Sequence, residues 1–228
     1  LFCSCEVSVM LRSFRFLLGR FWPCLAVMAV LAAAAAGSQA LWLPPWTRTV
    51  FQWCFALLPK LLPSVLLFAG FFPWGRSMNL ALSMGAGRRG LFGAVHLLFL
   101  VLAASAWAVQ RAVCALPAPF LPAMAERFPA LAPAEAASPW VYFLLCLMML
   151  LLGSACGILS ALYSQAAFLV FFLIVGGLNL SDWSFLSLAQ VLWGEGASWG
   201  ALPYVLSALT AAGCEGFLWS TIQTYVVR

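Results

Sequence analysis

The 228-residue chain is 65% hydrophobic and 7% charged, with a mean hydropathy of +1.05, which leaves too little polar surface to cover a soluble globule of this size. Its formal charge of +5 is scattered over short segments without a long basic run, so nucleic acid is excluded as a partner. The apolar stretches are long enough for membrane-crossing helices and lack the two-residue alternation of an outer-membrane barrel. The expectation is an all-α polytopic membrane helix bundle: residues 1–9 as a tail or upstream read-through, and 10–228 as a single transmembrane domain with six spans.

In chain order, Arg12, Arg15 and Arg20 alternate with Phe14, Phe16, Leu17 and Leu18. That pattern suits a short elbow helix lying in the membrane interface with its cations toward lipid phosphate. The first span follows over 21–42, and Ser38-Gln39-Ala40 at its end also fits a leader-cleavage site, the rival reading of this stretch. Pro44-Pro45 makes a turn, and the second span covers 50–73 with a kink expected from Pro59 and Pro63. The third span is 91–113. A proline- and alanine-rich loop leads to the fourth, 139–163. The fifth, about 166–180, is short: it either crosses fully over 164–181 by borrowing its flanks or stops part way as a re-entrant element. The sixth is 201–226, and Trp183, Trp193 and Trp199 before it favour the water interface.

The arginines orient these spans. Arg12, Arg15, Arg20, Arg76, Arg88, Arg89 and Arg228 fall on one side, and Arg48, Arg111 and Arg127 on the other, so both termini and residues 75–90 are expected in cytoplasm. The 75–90 stretch is a polar island between spans two and three, able to form a short coupling helix ended by glycines and paired arginines.

Chemistry of the enzymatic kind is not indicated. The chain has no P-loop sequence and no His-Glu-x-x-His, and its single histidine, His96, rules out a site needing two imidazoles from one subunit. Ser154 with His96 is the only tempting nucleophile–base pair and is set aside, since a hydrogen-bonding role inside the third span is commoner for such a histidine. Cys24, Cys54, Cys146, Cys156 and Cys214 lie in apolar segments as small hydrophobes, and Cys3-Ser4-Cys5 lacks a histidine neighbour for a metal site. No metal and no cofactor are expected. Lys60 and Glu215 are the ionisable groups placed near mid-span, and each needs a partner or a wet cavity. The readings are a Lys60–Glu215 pair, separate positions along a translocation path, or a shifted span edge. Gly153 and Gly157 in Gly153-Ser154-Ala155-Cys156-Gly157 form a Gly-x-x-x-Gly pattern for close helix approach, within the bundle or in a homodimer.

The run Leu80-Ala81-Leu82-Ser83-Met84-Gly85-Ala86-Gly87-Arg88-Arg89, between the second and third spans of a six-span chain, resembles the corresponding loop of bacterial ABC-2-type ABC transporter permeases. The arginine-bearing segment 12–20 is similar to that family's elbow helix. Ser164-Gln165-Ala166 departs from the basic residue and glycine that smaller members place between spans four and five. The resemblance implies a noncatalytic membrane subunit of an ATP-driven exporter in the bacterial inner membrane, working as a homodimer or paired permease with a separate cytosolic ATP-binding subunit. It also implies that Arg76, Leu80, Met84, Gly85, Arg88 and Arg89 dock that subunit. The alternatives are a self-contained secondary transporter or channel using Lys60 and Glu215, and a membrane assembly or immunity protein.

Overall fold

The structure is a computed structural model that describes residues 2–38, 44–71, 80, 82, 87–120, 122, 126, 139–163 and 202–224. Regular structure among these residues is entirely helical: α1 (Phe2–Gly37), α2 (Pro45–Phe71), α3 (Arg88–Cys114), α4 (Pro139–Tyr163) and α5 (Leu202–Thr224). Within them, Ser8–Gly37, Pro45–Phe71, Arg88–Cys114 and Trp140–Ser160 are long and apolar enough to cross a membrane, which points to a membrane location. The fifth expected span, 164–181, lies outside the described residues.

Two boundaries differ from expectation, each for a local reason. Helix α2 starts at Pro45 rather than near residue 50, because a proline at the first helical position is preset in φ and lacks only an N–H that would go unpaired there. The Arg48 amide donates to the Pro44 carbonyl at 3.0 Å, closing the first turn. Helix α3 starts at Arg88, with Gly87 as its extended N-cap and the Leu91 amide donating to the Gly87 carbonyl at 2.8 Å. The paired arginines therefore sit inside the first turn of α3 and not in a loop.

Residues 12–20 do not turn onto the interface as a separate elbow. They continue without a break into the rest of α1, through Pro23. The reason is a continuous buried stripe at helical spacing, Ser13, Leu17, Phe21, Met28, Ala35 and Ser38, which keeps one face of the whole helix against its neighbours. At 36 residues α1 is about 54 Å long, well beyond a hydrocarbon core of about 30 Å.

Contacts fix the directions of the helices. Gly37 faces the Phe51 ring, so α1 and α2 form an antiparallel pair. Gly90 and Gly93 lie against Val9 and Met10, placing the start of α3 beside the early turns of α1, and Phe120 beyond the end of α3 stacks edge-on against Phe55 near the start of α2. Tyr142 meets Pro59, while Ser154 meets Gly70, so α4 runs parallel to α2. Helix α5 runs opposite to α3 and therefore in the same direction as α4. Tyr163 and Leu202 consequently lie at opposite ends of the bundle.

A simple labelling experiment checks this layout. In sealed vesicles of a cysteine-free background, single cysteines replacing Pro117 and Leu202 should react with an impermeant maleimide from the same side. One replacing Gly87 should react only from the other. Equal reaction at 87 and 117 would show the directions above to be wrong.

The α2–α4 contact is the tightest in the bundle. A Cβ built on Gly153 would overlap the Leu67 carbonyl oxygen, and one on Gly70 would overlap the Leu150 carbonyl oxygen. Backbones approach this closely only where both positions lack a side chain, and at such a distance Cα–H groups contact carbonyl oxygens across the interface. Around this contact Leu58, Leu62, Leu66, Leu67 and Leu150 are fully buried.

Tyr142, also fully buried, answers a backbone need. Pro63 has no N–H, so the Pro59 carbonyl four residues earlier loses its helical donor. The Tyr142 hydroxyl donates to that carbonyl at 3.2 Å. The kink site thus keeps its polar group satisfied away from water.

Candidate functional site

At the end of the bundle that carries Arg88 and Arg89, α3 and α5 meet in three successive rungs. The Arg88 guanidinium donates to the Gln223 carbonyl, the rings of Phe92 and Trp219 meet edge-to-face with centroids 5.0 Å apart, and His96 Nε2 stands 3.4 Å from Glu215 Oε1. The α3 members are four residues apart and so are the α5 members, the spacing that puts each set on one helical face. Arginine in the first turn of α3 works against that helix's own dipole. Reaching across to a carbonyl in the last turn of α5, Arg88 meets instead the negative end of a neighbouring helix.

His96 is held from both sides. Its Nδ1 lies 2.9 Å from the Phe92 carbonyl oxygen, which can only accept, so Nδ1 carries a proton. Its Nε2 is buried and makes no hydrogen bond of good geometry, with Glu215 Oε1 as the acidic neighbour at ion-pair distance. The Phe92 ring covers the imidazole face at 4.2 Å, and Phe99 borders it at 6.4 Å. The side chains are 29% exposed for His96 and 49% for Glu215.

Of the residues singled out from the sequence, the structure unites some and separates others. Arg88 and Arg89 are exposed at the start of α3. Leu80 is helical and 41% exposed, while Leu82, also helical, packs against the core. Arg76, Met84 and Gly85 lie outside the described residues. Lys60 is partly buried on α2, and its carbonyl accepts from Ser64 Oγ at 3.0 Å. Glu215 is directed to His96 on α3, since α5 packs on α4 and α3. Gly153 and Gly157 are both buried in this chain's own bundle, with Gly153 on α2. Ser154 donates to the Leu150 carbonyl at 2.7 Å and reaches the Gly70 carbonyl at 3.3 Å, which makes it part of the α2–α4 contact. Among the described residues no group of three or more His, Cys, Asp or Glu side chains is placed to hold a metal ion.

Sequence reasoning passed over the His96–Glu215 meeting. Both residues are conspicuous as titratable groups within apolar segments, but their pairing depends on which helices become neighbours. Comparison with protein-family models, curated proteins and solved structures gives no match.

Proposed function

We propose that this chain is the transmembrane subunit of an ATP-driven exporter, receiving a separate cytosolic ATPase on the polar island 76–89. The observation that carries the reading is Arg88. It opens the helix that follows the island and also holds the last turn of α5, so a push on the island reaches α3 and α5 together. Exposed Leu80 and Arg89 give the island both an apolar and a cationic contact for a partner. The resemblance of 80–89 to the coupling loop of ABC-2-type permeases supports the same reading. The bundle has six spans, both termini cytoplasmic, in a bacterial inner membrane, and operates as a homodimer or paired permease. The arginine distribution supports this orientation, and the shared direction of α4 and α5 supports a further crossing between Tyr163 and Leu202.

The test is reversal of the island's apolar face. Leu80 and Met84 are four residues apart, on one side of a helix. The double variant Leu80→Glu/Met84→Glu keeps all three arginines and should insert normally, while the amount of ATPase recovered with it in mild detergent falls by more than about tenfold. Normal insertion with undiminished ATPase recovery would remove the docking assignment.

A second reading, a self-contained proton-driven transporter, draws on one observation, the titratable His96–Glu215 pair. Proton-dependent flux in proteoliposomes lacking ATP would favour it over the first.

A further inference from the structure

The geometry points to a proton-binding site at His96–Glu215 that fastens α5 to α3 when its proton is present and releases α5 when the proton leaves. The inference is independent of which energy source drives transport.

The argument starts from the tautomer. With Nδ1–H donated to the Phe92 carbonyl, a neutral imidazole presents a lone pair at Nε2, and that lone pair faces Glu215 Oε1 at 3.4 Å. An ionised carboxylate presents a lone pair as well. The two atoms attract only when one proton lies between them, as imidazolium with carboxylate or as imidazole with carboxylic acid. In either form the pair is neutral overall and binds one dissociable proton. When that proton passes to water, a carboxylate is left opposite a lone pair at a helix interface among apolar surroundings, an arrangement that favours separation of the helices.

Among the described residues, Glu215 is the ion-pair partner found at His96. Of the helices packed around the pair, α5 carries Glu215 and the neighbouring thiol Cys214, α4 carries Cys156, and α1, packed on α3, carries the exposed Arg12, Arg15 and Arg20. On α3 the cations toward its start are Arg89 and Arg88, about two turns from His96, and Arg88 is engaged with Gln223. Phe92, Phe99 and Trp219 supply rings only.

The architecture makes α5 the element such a site would move. Among the described side chains of α5, the buried ones, Leu218, Thr221 and Ile222, lie in its last turns, Ala211, Cys214 and Phe217 pack partly against the core, and Val205 and Leu209 near its start are 52% and 64% exposed. Glu215 stands at the boundary between the anchored and exposed parts. Loss of the third rung would therefore leave Arg88–Gln223 and Phe92–Trp219 as a hinge about which the rest of α5 swings.

The full chain in lipid nanodiscs, with its native cysteines replaced, is the system for the test. Spin labels go on cysteines replacing Leu100 of α3 and Leu209 of α5, both exposed side chains. As the pH is raised from about 5 to about 10, the wild-type pair should pass from one short distance to a longer, broader distribution. Glu215→Gln separates the explanations, because its carboxamide N–H donates to Nε2 with no shared proton. That variant should keep the short distance across the whole range. Because His96 is the chain's only histidine, selective ¹⁵N labelling gives a one-residue spectrum of its ring. Glu215→Gln should show the neutral Nδ1–H form. A wild-type distance that ignores pH, a Glu215→Gln variant that responds as the wild type does, or a neutral Nε2–H tautomer in the wild type would each overturn the proposal.

Discussion

Gly153→Leu is expected to destabilise the bundle by at least about 3 kcal/mol, the upper range for overpacking a tight interior. The added side chain would start within the Leu67 carbonyl group, with the Leu67 carbonyl carbon at 3.0 Å and the Phe71 amide nitrogen at 3.2 Å from its Cβ. These are backbone atoms, and no rotamer change moves them aside. The two helices must separate along their length, loosening the contacts of Leu62, Leu66, Leu67 and Leu150 and drawing Ser154 from the Gly70 carbonyl. In a bilayer the loss is severe, because helix association depends on close packing rather than on expulsion of water. Gly213→Leu is the control, since nothing lies within 4 Å of a Cβ there, and its change should stay below about 1 kcal/mol. Reversible unfolding in mixed micelles measures both. Equal stability of the two variants would refute the α2–α4 contact.

Tyr142→Phe is the second large effect, about 1–3 kcal/mol, the cost of leaving a buried carbonyl without a donor. The interesting variant is its combination with Pro63→Ala. Alanine restores an N–H at position 63, four residues after Pro59, so the Pro59 carbonyl regains a helical partner and no longer needs the tyrosine. In the Pro63→Ala background Tyr142→Phe should cost less than about 1 kcal/mol, giving a coupling energy of about 1 kcal/mol or more across two helices. Additive changes would mean that the hydroxyl serves some other purpose.

The helices themselves were largely legible in the sequence. Apolar runs bounded by polar or proline-rich breaks overlap α2, α3, α4 and α5. The misplaced starts of α2 and α3 share a cause: Pro45 and Arg88 look like loop residues by composition but occupy first helical turns. The elbow expected over 12–20 was read from charge alternation, while the buried stripe from Ser13 to Ser38 extends one helix through it. Gly-x-x-x-Gly at 153–157 announced a close approach, although which helix approached was not in the motif. The same limit applied to Glu215. Its need for a partner followed from its place in an apolar segment, but the choice between Lys60 and His96 was made by the packing of α5 on α3 and α4. Of the island 76–89, residues 80, 82 and 87–89 are described: Leu80 and Leu82 are helical, Gly87 is extended, and Arg88 and Arg89 open α3.

Helix α5 holds its docking residues, from Leu218 to Gln223, in its final turns. During synthesis the exposed Val205 and Leu209 therefore leave the ribosome before the buried Leu218, Thr221 and Ile222 exist. Helices α1 to α4, whose directions alternate, precede α5, with α4 packed parallel to α2. The α5 segment must wait until its far end is complete before Arg88 has the Gln223 carbonyl to hold. A nascent chain arrested before Leu218 should contain a finished four-helix core with an undocked helix beside it.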